Sequence, residues 1–273
     1  RERWNMERER LGREVIALRV ARELQDGDVV NLGIGIPTMC SQFVPEGRTV
    51  IYHSENGVLG YGPMAEPGDE DIDLTNAGGQ FLGKHPGMSY FNSADAFAMI
   101  RGGHIDVAVL GAFQVSARGD LANWMLPQRG IGNVGGAMDL AACAKRVFIA
   151  MEHTTREGGA KLLNKCTLPI TAPGVVKMLV TDLGLFEITP QGFMLVEYAP
   201  GWTPEEIQGL TEAKLIISDD LKELGGFGVG FFFFFFFGWV GFFLFFFLVC
   251  VCVFFFFFVC VCVCVCVCLC VCM

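Results

Sequence analysis

The chain has 273 residues, a formal net charge of -9 and 12 cysteines, which is length for one large domain or two small ones. No Asp, Glu, Lys or Arg occurs from Gly226 onward, so the whole negative charge belongs to residues 1–225 and argues against nucleic acid as a partner. Only Cys40, Cys143 and Cys166 precede that uncharged stretch, too few and too scattered for a disulfide framework.

Residues Arg1 to Met6 begin a segment without the apolar core of a secretory signal, and Glu2 and Glu7 are acids that a transit peptide avoids. The body is therefore expected in the cytoplasm. Residues 7–25 place Leu11, Val15, Leu18, Val20 and Leu24 at near-helical spacing among charges, which predicts an amphipathic helix ended by Asp26-Gly27-Asp28. Val29–Leu32 then reads as a short buried strand running into Gly33-Ile34-Gly35-Ile36, with Pro37 suited to the first turn of a helix.

The alternation continues through a strand at Thr49–His53, a helix at Ser93–Ile100, a strand at Asp106–Leu110, a helix after Gly135-Gly136 and a strand at Arg146–Met151. Such β/α alternation predicts an α/β fold with a central, mostly parallel sheet. Val176–Thr181, Leu185–Thr189 and Phe193–Glu197 read as three further strands, the last two joined around Pro190-Gln191-Gly192, so an antiparallel edge is expected. Thr203-Pro204-Glu205-Glu206 opens a helix toward Ala213 with a capping box, and Lys214–Ser218 closes the body as a strand near Leu224.

From Phe231 the chain becomes phenylalanine blocks followed by Val-Cys alternation, with neither helical periodicity nor turn signals. A run of T in DNA reads as Phe and a GT repeat as Val-Cys in one frame, so residues 225–273 are assigned to translated simple sequence, separate from a working domain at 1–224. The alternative is a membrane anchor, which the length permits but for which no flanking Lys or Arg sets an orientation. As a folding unit such a tail is an aggregation hazard.

The sharpest local feature of the body is Ser54-Glu55-Asn56-Gly57-Val58-Leu59-Gly60-Tyr61-Gly62-Pro63. It sets a carboxylate just after a predicted strand, where ligands dock on an α/β sheet, in a loop whose glycines admit close backbone approach. Glu55 is there a candidate general base, metal ligand or covalent nucleophile, against the plain alternative of a solvated turn acid. Gly132-Asn133-Val134-Gly135-Gly136 precedes a helix and can aim backbone N–H groups at an oxyanion, or merely allow tight packing.

Gly33-Ile34-Gly35 lacks the third glycine of a dinucleotide loop, since Thr38 stands there. His53, His85, His104 and His153 have no zinc-ligand spacing, so no metal is expected. No G-x-S-x-G elbow is present, which disfavours a serine hydrolase of the common α/β type.

Taken together the motifs resemble the β subunit, or C-terminal half, of the family I CoA-transferases, the succinyl-CoA:3-oxoacid and 3-oxoadipate enzymes. The resemblance spans about residues 10–220. It rests on Asn31–Thr38, Ser54–Pro63, Asn76–Gln80, Arg101–Trp124, Val134–Leu140, and the segments starting at Met151 and Lys165, in that order. It implies a three-layer α/β sandwich and a ping-pong transfer of CoA from an acyl-CoA, succinyl-CoA favoured, to a 3-oxo acid, acetoacetate or 3-oxoadipate. Glu55 would carry the CoA as a thioester.

The resemblance further implies that backbone around Gly135 and Gly136 helps hold the thioester oxygen or CoA, with Asn56 and Gly57 as further contacts. No cofactor is implied beyond the CoA thioester itself, which is a substrate, and a separate α subunit is the expected partner. Asn133-Val134 stands where many relatives carry Gly-Met. A non-catalytic binding or scaffolding half is the alternative to the enzyme reading.

Overall fold

The computed structural model describes residues 9–130, 132 and 135–225. The tail assigned to simple sequence, apart from Gly225, and the Asn133-Val134 departure lie outside the described residues.

Short apolar runs bounded by glycine, proline or charge form the strands β1 (Val29–Leu32), β2 (Ile51–Ser54), β3 (Val58–Tyr61), β4 (Ser89–Tyr90), β5 (Val107–Leu110), β6 (Gln114–Ser116) and β7 (Leu121–Ala122). They continue as β8 (Arg146–Ala150), β9 (Leu162–Leu163), β10 (Val176–Thr181), β11 (Gly184–Thr189), β12 (Gly192–Tyr198) and β13 (Ile216–Glu223). Ten of them make one sheet, in the order β13-β12-β11-β10-β8-β5-β1-β2-β3-β4, and β7-β6-β9 form a small second sheet. The centre, from β10 through β8, β5 and β1 to β2, is parallel throughout.

The expected antiparallel edge occurs on both margins. β10, β11 and β12 pair antiparallel on one side, and β2, β3 and β4 do so on the other. β13 returns parallel to β12.

The helices are α1 (Arg13–Ala21), α2 (Ser93–Arg101), α3 (Ala137–Cys143) and α4 (Pro204–Gly209). Alternation along the central strands divides the core between the two sheet faces. Val107 and Val109 join Ile16, Ala17, Val20 and Ala21 of α1, while Ala108 and Leu110 join Ile100 of α2, Leu140 of α3 and Ile207 of α4. This gives the three layers, and each fully buried Leu, Ile or Val contributes about 1.5–3 kcal/mol relative to exposure.

Two sequence expectations shorten in the structure. The helix after Pro37 is a single 3₁₀ stretch, Pro37–Gln42, and the Thr203 helix ends at Gly209 although its capping box with Glu206 is complete. α1 also buries a charge. Arg19 is 8 % exposed, and its guanidinium forks onto Glu197 at 2.7 and 3.0 Å while Nη1 reaches Glu23 at 2.6 Å. The bidentate pair tethers the helix to β12 and satisfies the charge that the apolar face would otherwise leave stranded.

Candidate functional site

β2, β1, β5 and β8 are neighbours and parallel, so their carboxyl ends lie along one edge of the sheet. A cleft of about 490 Å³ opens there. Its floor is backbone: Gly33 follows β1, Gly111 follows β5 and Met151 follows β8, and all three line the cleft. The Gly33 N–H donates to Val109 O at 2.8 Å, and a Cβ on Gly33 would stand 3.2 Å from that same oxygen. Glycine thus keeps β1 close to β5 and the floor clear.

Glu55 is the first residue past β2 and is half-buried in the cleft wall. Its loop is pinned on both sides. Gly57 has φ 111°, and a Cβ there would lie 1.9 Å from Phe91 O, so only glycine lets the loop meet the segment before α2. Ser54 Oγ accepts from the Ala77 N–H at 3.0 Å, and Asn56 Nδ2 donates to Thr75 O at 2.7 Å.

Beneath Glu55 lies a polar group inside an otherwise apolar strand. Asn31 of β1, fully buried, donates through Nδ2 to Glu55 Oε2 at 3.2 Å and faces His53 Nδ1 at 3.0 Å. An amide donor at Nδ1 assigns the ring proton to Nε2. Burial pulls the His53 pKa below its ordinary value, and the nearby Glu55 charge opposes the shift, so the imidazole is neutral. Asn31 Oδ1 and His53 Nε2 are buried without a partner among the described residues.

Gly135 and Gly136, before α3, form part of the wall. A Cβ on Gly136 would stand 3.3 Å from the Phe97 ring and 3.5 Å from Glu55 Oε1, so the bare backbone there is what fits beside the carboxylate. The structure therefore brings Glu55, Gly135 and Gly136 together. Asn56 and Gly57 do not line the cleft; the Asn56 amide is spent on Thr75 and the Gly57 N–H donates to Ser54 O, so both shape the loop that presents Glu55.

Four ionisable side chains line the cleft: Arg13, Glu55, Glu152 and Lys161. Arg13 Nη2 and Glu152 Oε1 pair at 2.8 Å on the rim. Lys161 is half-buried, makes no ion pair among the described residues, and has its pKa lowered by burial against the opposing charges of Glu152 and Asp182. None of Asn31, Arg13, Glu152 and Lys161 was marked by sequence reasoning. Asn31 alone left a signal, a polar residue closing an apolar strand before a glycine loop; the others meet across strands distant in sequence.

The remaining glycine and histidine motifs resolve into architecture. Asn76 Oδ1 accepts from the Gly78 and Gln80 N–H groups and shapes a turn, and Arg101-Gly102-Gly103-His104 closes α2. Among the described residues no cluster of three His, Cys, Asp or Glu side chains could hold a metal ion.

A family model described as "Coenzyme A transferase" matches residues 13–209. The chain is 48% identical over 202 residues to the B-type subunit of the succinyl-CoA:3-ketoacid coenzyme A transferase of Helicobacter pylori, covering 74% of this chain and 97% of that one. It is also 48% identical to the β subunit of the acetate CoA-transferase of Escherichia coli (77% and 96% covered) and to the B-type subunit of the 3-oxoadipate CoA-transferase of Pseudomonas putida (76% and 97%). Among solved structures, an acyl-CoA transferase from Escherichia coli O157:H7 in a thioester complex with CoA superposes with a TM-score of 0.62 at 19% identity, over 81% of this chain and 44% of that one. The chain therefore spans less than half of that solved protein and nearly the whole length of the curated subunits. It belongs to the coenzyme A transferase family, and the relatives above are named as B or β subunits.

Proposed function

We propose that this chain is the β half of an α/β CoA-transferase that moves CoA from an acyl-CoA, succinyl-CoA favoured, to a 3-oxo acid, acetoacetate or 3-oxoadipate. The observation that carries the reading is Glu55, set at a strand end in the cleft and held by the buried Asn31 amide. The names of the relatives support the substrate class, and the β-type length supports an α partner that completes the site.

The Glu55 carboxylate attacks the thioester carbonyl of the donor. The C–S bond breaks, CoA leaves as thiolate, and a mixed anhydride joins Glu55 to the acyl group. The thiolate then attacks the Glu55 carbonyl, expelling the free acid and leaving a glutamyl-CoA thioester. A second acid repeats the two steps in reverse. The anhydride conserves the activation of the thioester only if water is kept out, which suits a carboxylate set into a wall rather than on a tip.

Asn31 Nδ2 orients Oε2, and backbone around Gly135 and Gly136 is placed to meet the developing oxyanion. The reaction as proposed needs no metal and no redox cofactor. The proposal places it in the cytoplasm, with residues 1–224 as the working domain and 225–273 outside it. Among the described residues no helix is long and apolar enough to cross a membrane.

The test is CoA transfer from succinyl-CoA to acetoacetate, 3-oxoadipate and acetate by the full chain assembled with its α subunit. Glu55→Ala is expected to lower transfer by about four orders of magnitude or more with assembly intact, and a CoA adduct should appear on Glu55 by mass spectrometry. An assembled Glu55→Ala enzyme that still transfers CoA would sink the proposal.

A further inference from the structure

Of the charges lining the cleft, two cancel and two remain. Arg13 and Glu152 satisfy each other at 2.8 Å. Asp182, the other acid felt by Lys161, is occupied by Arg10 at 2.9 Å and by the His153 N–H. Lys161 is left with a half-buried ammonium, no acid within ion-pairing distance among the described residues, and an open cleft in front of it. A partly desolvated cation without a counter-ion is costly unless a ligand supplies the anion.

The sheet order sets the scale of the cleft. Glu55 follows β2, whereas Glu152, whose charge Lys161 feels, follows β8, with β1 and β5 between them. Three inter-strand spacings separate the two ends of the cleft, about 14 Å. Glu55 and Lys161 line the same cleft, so an acyl chain held at Glu55 can run toward Lys161. Between them the cleft is lined by Leu110, Ala112 and Phe113, an apolar passage suited to methylenes.

We propose that Lys161 is a specificity-determining residue that binds the free, non-reacting carboxylate of a dicarboxylic acyl group while the other carboxyl carbon reacts at Glu55. The inference rests on the CoA-transfer reading and deepens it, because it selects a diacid chain for one half-reaction.

The experiment compares succinyl-CoA with butyryl-CoA, which has the same chain length and no second carboxylate, as donors to the full chain in its α/β complex. Lys161→Met is expected to raise the KM for succinyl-CoA about 10- to 100-fold, the scale of one lost charge-assisted hydrogen bond, and to leave butyryl-CoA within about threefold. Lys161→Arg, which keeps the charge, should recover most of the loss. In the unmodified enzyme succinate should compete at least about tenfold better than butyrate, a measurement that stands even where a variant fails to assemble. Equal changes for both donors, or equal inhibition by the two acids, would overturn the assignment. Failure of both donors to load CoA on Glu55 in the unmodified enzyme would overturn the underlying CoA-transfer reading instead.

Discussion

Two buried histidines sit in the same fold under opposite conditions. His153, just past β8, has both ring nitrogens matched, Nδ1 with Thr181 Oγ1 at 3.0 Å and Nε2 with Thr211 Oγ1 at 2.9 Å, and Thr211 in turn donates to Ile207 O at 2.8 Å. His53, near the end of β2, shares Nδ1 with Asn31, while its Nε2 and the Asn31 Oδ1 have no partner among the described residues. Buried polar groups in folded proteins are nearly always paired, so the closed network around His153 reads as structural, and the open one under Glu55 is where the proposed chemistry would sit.

That contrast can be broken by exchanging the roles. His153→Ala should cost about 3 kcal/mol or more of unfolding free energy, since it leaves a void and takes one hydrogen-bond partner from each of two buried threonines, while kcat per folded molecule stays unchanged. Denaturant melts together with turnover would measure both. Retained stability, or lost turnover in the folded fraction, would erase the distinction between the two histidines.

Acid sharpens it next. Burial pushes the His153 pKa down to about 4, against about 6.5 in the unfolded chain. The unfolded state therefore takes up a proton that the folded state refuses. This contribution to stability is complete above about pH 6.5 and is lost progressively as the pH falls toward 4, by about 3 kcal/mol. His53 is shifted in the same direction and adds to the slope. Unfolding free energies measured across that range should show the fall, and His153→Gln should flatten most of it; an unchanged slope would mean that other groups govern acid stability.

The smallest expected effect lies on the open side. Asn31→Ala removes the donor to Glu55 Oε2 and should slow formation of the glutamyl thioester about 10- to 100-fold. The loss should fall on kcat and leave the KM for the acyl-CoA near its original value, because Asn31 is fully buried and not among the residues that line the cleft. A loss confined to KM would assign Asn31 to binding instead of to holding the carboxylate.

The parallel centre was legible because each strand is a compact apolar run with a helix pattern between, and Thr203-Pro204 announced α4 by side-chain chemistry alone. The antiparallel β11–β12 edge was legible from the Pro190-Gln191-Gly192 turn, but the shortest strands and the final pairing were not. β4, β7 and β9 are two residues long, too short to carry a period, and β13 owes its parallel pairing to β12, a partner that no local pattern identifies. Glu55 stood out by its glycine-rich loop, and Gly135 and Gly136 by their place before a helix. Lys161 did not, because an unpaired charge is defined by what fails to reach it in three dimensions. Asn56 and Gly57, which the resemblance implies as further contacts, make turn hydrogen bonds to Thr75 and Ser54 beside Glu55.

Much of the cleft wall comes from loops that follow four different strands, while most strand residues serve the two cores. Recognition and scaffold are thereby held on separate parts of the chain, so one loop can change without disturbing the sheet or the others. That separation gives the fold a simple route to new acids, and three relatives each 48% identical to this chain carry different substrate names.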